Sequence, residues 1–210
     1  MIIQSVLQDM SGLTVGKPQR FFSSSYFDQP VAESTSFLAV PSLGALVPGW
    51  LLLVPKNESA CLAHLTPSQA LELKVFAARL TEKVGSIYGP VVQFEHGATS
   101  SGSATGCGVD HAHLHLVPID HNAFKASVAE EGRKLDLRWF AGDLPTQASD
   151  ELDYLWYSVG LETRFAYPAH PVSQFFRRCV ARALGVPDVW NYREYPQHDV
   201  VKSTIEALAA

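Results

Sequence analysis

The run Asp110-His111-Ala112-His113-Leu114-His115-Leu116 sets three of the chain's 8 histidines at alternate positions, with small or apolar residues between them. Successive side chains on a strand point to opposite faces. The pattern therefore predicts a strand from about Val109 to Val117, with three imidazoles on one face and Ala112, Leu114 and Leu116 in the core. Neighbouring titratable rings disfavour one another's charged forms, so such a row is costly unless it has a use. Two chemistries fit it. Alternating histidines can share one Zn²⁺, or a neutral imidazole can attack phosphorus as a nucleophile.

The segment just upstream bears on that choice. Gly97 to Gly108 holds four Gly and three Ser and leads directly into the histidine strand. Backbone N–H groups of such a loop can cradle a phosphate, and Ser or Thr hydroxyls add donors. A zinc site needs no anion cradle. The three cysteines, Cys61, Cys107 and Cys179, form no CxxC pair, so neither a thiolate zinc site nor a disulfide framework is readable.

Around this centre the element pattern is α+β. Phe37–Val40 and Trp50–Val54 read as strands, joined through turn residues from Pro41 to Gly49. Thr66, Pro67 and Gln69 open a helix in which Leu73, Phe76, Ala77, Leu80, Val84 and Ile87 recur at helical spacing. Val91–Glu95 follows as a strand. Beyond residue 120 the texture changes. Residues 121–151 read as irregular or helical, Tyr154–Val159 and Thr163–Tyr167 as a strand pair, Ser173–Gly185 as a helix capped by Ser173, and Val200–Leu208 as a last helix. The division expected is an N-terminal segment 1–36, a core 37–120 and an extension 121–210.

The stretch from His111 to Val117 resembles the signature of the histidine triad family, in which three histidines alternate with apolar residues. Pro48-Gly49-Trp50-Leu51-Leu52-Leu53-Val54-Pro55-Lys56 resembles that family's Pro-Gly-His-x-Leu segment, and element order agrees from about residue 37 to 118. The resemblance implies an antiparallel sheet of about five strands with a long packed helix, to which this chain adds a C-terminal α/β extension. It also implies a reaction, cleavage or transfer of a nucleoside monophosphate such as AMP through a nucleotidyl-histidine. His113 maps to the nucleophile, His115 to a phosphate contact, and His111 to the residue that orients the array by hydrogen bonding.

Three positions depart from the family pattern. Trp50 stands where the family has His, Cys107 where it has Gln, and Glu95-His96 where it has neutral polar residues. His96 is a candidate catalytic helper, able to titrate near neutral pH. Candidate substrate contacts are Ser42, Glu95, Ser101, Ser103, Gly106 and Cys107. Arg177, Arg178 and Arg182 could fork onto phosphate, although such arginines more often form a solvated helix face. Trp190 and Tyr192 could stack on a base or pack in the core.

The expected activity is a nucleotidyl hydrolase acting on an ester, phosphoramidate or dinucleoside polyphosphate. A nucleotidyltransferase or phosphorylase, a degenerate nucleotide-binding module and a zinc hydrolase are the alternatives. No cofactor or metal is expected to be required, with Mg²⁺ possible beside a polyphosphate. A net charge of −5 argues against a duplex nucleic-acid partner. The longest apolar run is too short for a bilayer, and no secretory leader is readable at Met1. A cytoplasmic protein, with a homodimer as one assembly open to it, is the expectation.

Overall fold

The computed structural model describes residues 30–100, 102–106, 111–143 and 151–209. Eight strands are described: β1 Ala32–Glu33, β2 Phe37–Pro41, β3 Leu51–Pro55, β4 Val91–Gly97, β5 Leu114–Pro118, β6 Phe140–Ala141, β7 Tyr154–Val159 and β8 Glu162–Ala166. They form one sheet, ordered β1-β2-β3-β5-β4-β7-β8-β6, with every neighbouring pair antiparallel. Four α-helices accompany it among the described residues: α1 Pro67–Tyr88, α2 His121–Lys134, α3 Phe175–Ala183 and α4 His198–Ala209. The class is α+β, as expected from the resemblance. The sheet, however, has eight strands where about five were expected. The hairpin β7–β8 hydrogen-bonds along the free edge of β4, so the extension continues the sheet of the core.

Sequence chemistry accounts for the elements. Thr66 caps α1 through a reciprocal bond pair with Gln69, and Pro67 begins the first turn, where its missing N–H costs nothing. Asp120 caps α2 by accepting from the Ala123 amide at 2.8 Å. The expected Ser173 cap of α3 is not used. Gln174 precedes the helix instead, at φ 55° and without a side-chain cap bond. Only the second part of the expected histidine strand is β structure. β5 begins at Leu114, so His111 to His113 run just ahead of it.

Register decides which side each residue serves. Leu52 and Phe94 both pair with His115, whereas Leu53 pairs with Leu114 and Leu51 with Leu116. Leu51, Leu53, Leu114 and Leu116 therefore face α1 and meet Leu73, Phe76, Leu80 and Val84. Trp50, Phe94, Val117, Leu155 and Tyr157 lie on the opposite face, covered by Phe124 and Val128 of α2 and Phe175, Phe176, Cys179 and Val180 of α3. Burying a large apolar side chain contributes about 1.5–3 kcal/mol. The five rings of Trp50, Phe94, Phe124, Phe175 and Phe176 thus fasten the extension over the histidine face with on the order of 10 kcal/mol, before ordering entropy is subtracted. No helix among the described residues is long and apolar enough to cross a membrane.

Gly97 closes β4 opposite Tyr154, and a Cβ there would lie 2.1 Å from Tyr154 Cζ. The Tyr154 ring is fully buried and hydrogen-bonded, so it has no room to retreat. Gly97→Ala should cost about 3 kcal/mol, at the top of the overpacking range, which lowers Tm by roughly 6–12 °C. A thermal melt checks this; a variant melting within about 2 °C of wild type contradicts the packing.

Candidate active site

All three triad histidines are buried, His113 being the most exposed at 6%. His113 and His115 stand edge to face with ring centroids 4.8 Å apart. Their tautomers follow from partners that can only donate or only accept. His113 Nδ1 lies 2.9 Å from the His111 carbonyl, so Nδ1 carries the proton and Nε2 keeps its lone pair. The Trp50 indole N–H donates to His115 Nδ1 at 2.9 Å, so His115 carries its proton on Nε2. His111 Nε2 donates to the Pro55 carbonyl at 2.9 Å. His111 meets the array through its main-chain oxygen, while its ring anchors the segment to the end of β3.

A fourth imidazole joins them. His96 lies two residues beyond Phe94 on β4 and shares the triad face, 5.9 Å from the His115 ring. Its Nε2 accepts from the Phe176 amide at 3.0 Å, a bond no sequence signal announced. Burial pushes His113 down to about 4, with the charges of His111 and Arg177 adding to it against the His111 carbonyl bond. His96 and His115 are also held well below the usual histidine range, by burial first, then by His113 and Arg177.

Arg177, on α3, is buried here and is not part of a solvated face. It donates through Nε to the Trp190 carbonyl at 3.1 Å, through NH1 to Ser42 Oγ at 3.4 Å, and through NH2 to the Gly44 carbonyl. Its guanidinium lies 4.6 Å from the centre of the Trp50 ring and 5.6 Å from that of Tyr192. It is a fixed positive charge beside the cluster. Ser42 is thus a neighbour of this arginine and buried. Arg178 stacks on Trp190 at 4.4 Å, and Arg182 pairs with Glu130 and Glu131 at 3.0 and 2.9 Å. Trp190 and Tyr192 therefore stack on arginines.

Several sequence candidates are not brought to the triad. Glu95 lies on the α1 face, where Oε1 accepts from the Leu62 amide at 2.7 Å and Oε2 meets the Tyr154 hydroxyl at 2.5 Å. Alternation along β4 puts Glu95 and His96 on opposite sides, so Glu95 is withdrawn as a substrate contact. Burial pushes its carboxyl up to about 8 against those two bonds. Ser103 is likewise engaged elsewhere. Its hydroxyl donates to Asp153 and accepts from the Thr105 amide at 3.1 Å. Asp153, which sequence reasoning missed, also takes the Thr99 amide and hydroxyl at 2.9 and 3.2 Å. Gly106 ends a short 3-10 turn, Ala104–Gly106. Ser101 and Cys107 lie outside the described residues. Among the described residues, no three His, Cys, Asp or Glu side chains form a metal-binding group.

The antiparallel sheet, its packed helix and the imidazole row are the features that the resemblance to the histidine triad family implies. Solved structures similar to the chain include a Hit-like protein involved in cell-cycle regulation from Bartonella henselae. That likeness has 19% identity, covers 42% of this chain and 65% of the other, and gives a TM-score of 0.38. A hypothetical protein from Leishmania major is 26% identical over 43% of this chain and 62% of its own, at a TM-score of 0.36. A hypothetical histidine triad nucleotide-binding protein from Sulfolobus tokodaii is 13% identical over 84% and 83%, at 0.37. The chain thus spans about two thirds of the first two. Family models and curated proteins gave no match.

Proposed function

We propose that the chain is a nucleotidyl hydrolase, acting through a covalent nucleotidyl-His113. The observation that carries this is the pairing of a free His113 Nε2 lone pair with a His115 ring whose Nε2 bears the proton. The lone pair forms the N–P bond as the bond from phosphorus to the leaving group breaks. The leaving oxygen or nitrogen keeps that electron pair and takes a proton from water. The attacking imidazole becomes cationic, and its Nδ1–H bond to the His111 carbonyl strengthens as it does. His115 Nε2–H and the Arg177 charge stabilise the phosphoryl oxygens, and both side chains are buried, where such interactions are strengthened. Water then attacks phosphorus and frees the nucleotide and His113.

The test is a panel of AMP and GMP conjugates, comprising dinucleoside polyphosphates, phosphoramidates and nucleotide sugars, read by mass for released nucleotide. Intact protein quenched at alkaline pH should be heavier by one nucleotidyl group, since N–P bonds survive there. Inorganic phosphate is added in a parallel arm, where ADP in place of AMP identifies a phosphorylase. No turnover and no adduct across the panel would sink the covalent mechanism. A binding module without turnover is the second reading, favoured by the burial of all three imidazoles, and tight AMP binding with no turnover would identify it.

A further inference from the structure

We propose that His96 is a working member of the site, a fixed neutral donor whose Nδ1–H holds a phosphoryl oxygen of the bound nucleotide. This rests on the reading of the triad as a nucleotide site. The Phe176 amide can only donate, so His96 Nε2 must carry its lone pair and Nδ1 its proton. That Nδ1 is buried and has no hydrogen-bond partner among the described residues. A buried donor is seldom left unmatched in a folded chain, and each case calls for a reason.

The surroundings say what kind of acceptor it awaits. His96 sits on the triad face, with its ring perpendicular to that of His115, at 88° and 5.9 Å. Its neighbours there are the His115 Nε2–H, a second neutral donor, and the buried Arg177 guanidinium. Donors and a positive charge, with no carboxylate facing them among the described residues, match an oxygen that is anionic and accepts only. A phosphoryl oxygen over His113 has that chemistry. The same geometry corrects the expectation that His96 could serve as an acid. Protonating Nε2 would set its N–H against that of Phe176, so His96 can hold a proton in a bond but cannot deliver one to a leaving group. The start of α3 thereby fixes a residue of the core in its working tautomer, which ties the extension to the reaction.

The experiment combines nitrogen-edited NMR of ¹⁵N-histidine-labelled wild type with calorimetric binding of AMP and of inorganic phosphate. Expected are a His96 protonated on Nδ1 across pH 6–8 and a movement of that proton's resonance when AMP is added. His96→Asn places an amide N–H near the Nδ1 position and should bind AMP within about threefold of wild type. His96→Leu should lose about tenfold or more, the size of one hydrogen bond to a charged group. Wild type that binds neither probe overturns the nucleotide reading and this proposal together. Wild type that binds AMP while the Leu variant binds equally well overturns this proposal alone. A proton found on Nε2, or an Nδ1–H resonance unmoved by AMP, does the same and needs no variant to fold.

Discussion

Replacing His113 by Asn should lower turnover by about 10⁴-fold or more, the scale seen when a covalent nucleophile is removed. An Asn amide can still donate towards the His111 carbonyl, which now receives His113 Nδ1–H. The change should therefore cost only about 1 kcal/mol of stability, near the middle of the range for point substitutions. Loss of activity without loss of fold separates chemistry from packing. For wild type, kcat/KM should rise with pH through an apparent value well below 6.5 and be flat by about pH 6, because the attacking imidazole is pushed down to about 4. That value belongs to the coupled cluster of rings. A descending limb should not come from His96, whose acceptor bond to Phe176 keeps it neutral. Near-normal turnover by the Asn variant, or activity still climbing above neutral pH, would refute a neutral histidine nucleophile.

Acid should unfold this chain unusually early. His96, His111, His113 and His115 are all held below the ordinary histidine value in the folded state, chiefly by burial. The unfolded chain binds protons at these sites once pH falls below about 6.5, while the folded chain does not. Each such group can contribute a slope of about 1.4 kcal/mol per pH unit. Glu95 acts in the opposite sense. Its folded value is raised to about 8, so its contribution is complete below about pH 4.5 and is lost as pH climbs through 8. Between pH 6.5 and 5 it offsets one histidine of the four. Stability should therefore fall as pH drops from 6.5 to 5, because four histidines oppose one carboxyl. Stability should peak at about pH 7 and decline more gently towards pH 8. Glu95→Gln should remove the alkaline decline and leave the acid limb. Denaturant midpoints from pH 5 to 9 measure both, and a flat profile would contradict four histidines buried neutral.

The core elements were legible because their signals are local. The capping box at Thr66–Gln69, the helical stripe from Leu73 to Val84 and the apolar run of β3 need no partner to be read. Alternation put His113 and His115 on one side, and the register confirms Leu114 and Leu116 on the other. What could not be read depends on pairing between distant segments. Glu95 and His96 are adjacent, and only the pairing of Phe94 with His115 decides which of them meets the triad. Trp50 looked like a lost polar contact, yet its indole N–H reaches a triad ring from the neighbouring strand. Arg177 sits apart from the i, i+4 pair Arg178 and Arg182 on α3, but nothing in its own helix says what it meets; the Gly44 turn and Trp190, both distant in sequence, make it a hydrogen-bonded buried cation. Asp153 organises the loop from Thr99 to Thr105 across about fifty residues, with no motif to mark it.

The hairpin laid along β4 has a further consequence, for how the chain behaves among its own copies. Without it, seven residues from Val91 to Gly97 would present unpaired amides and carbonyls, a ready template for strand addition by another molecule. With it, the described sheet ends on one side at Phe140–Ala141 and on the other at Ala32–Glu33, each two residues long. Such stubs offer a stranger no ladder long enough to climb. Lys56 bonds Glu33 at 3.2 Å beside the second of them, adding charge where a polymer would have to grow. Among the described residues, the ladder that aims the histidines thus tapers at both ends, which lowers the tendency of crowded copies to add strand upon strand.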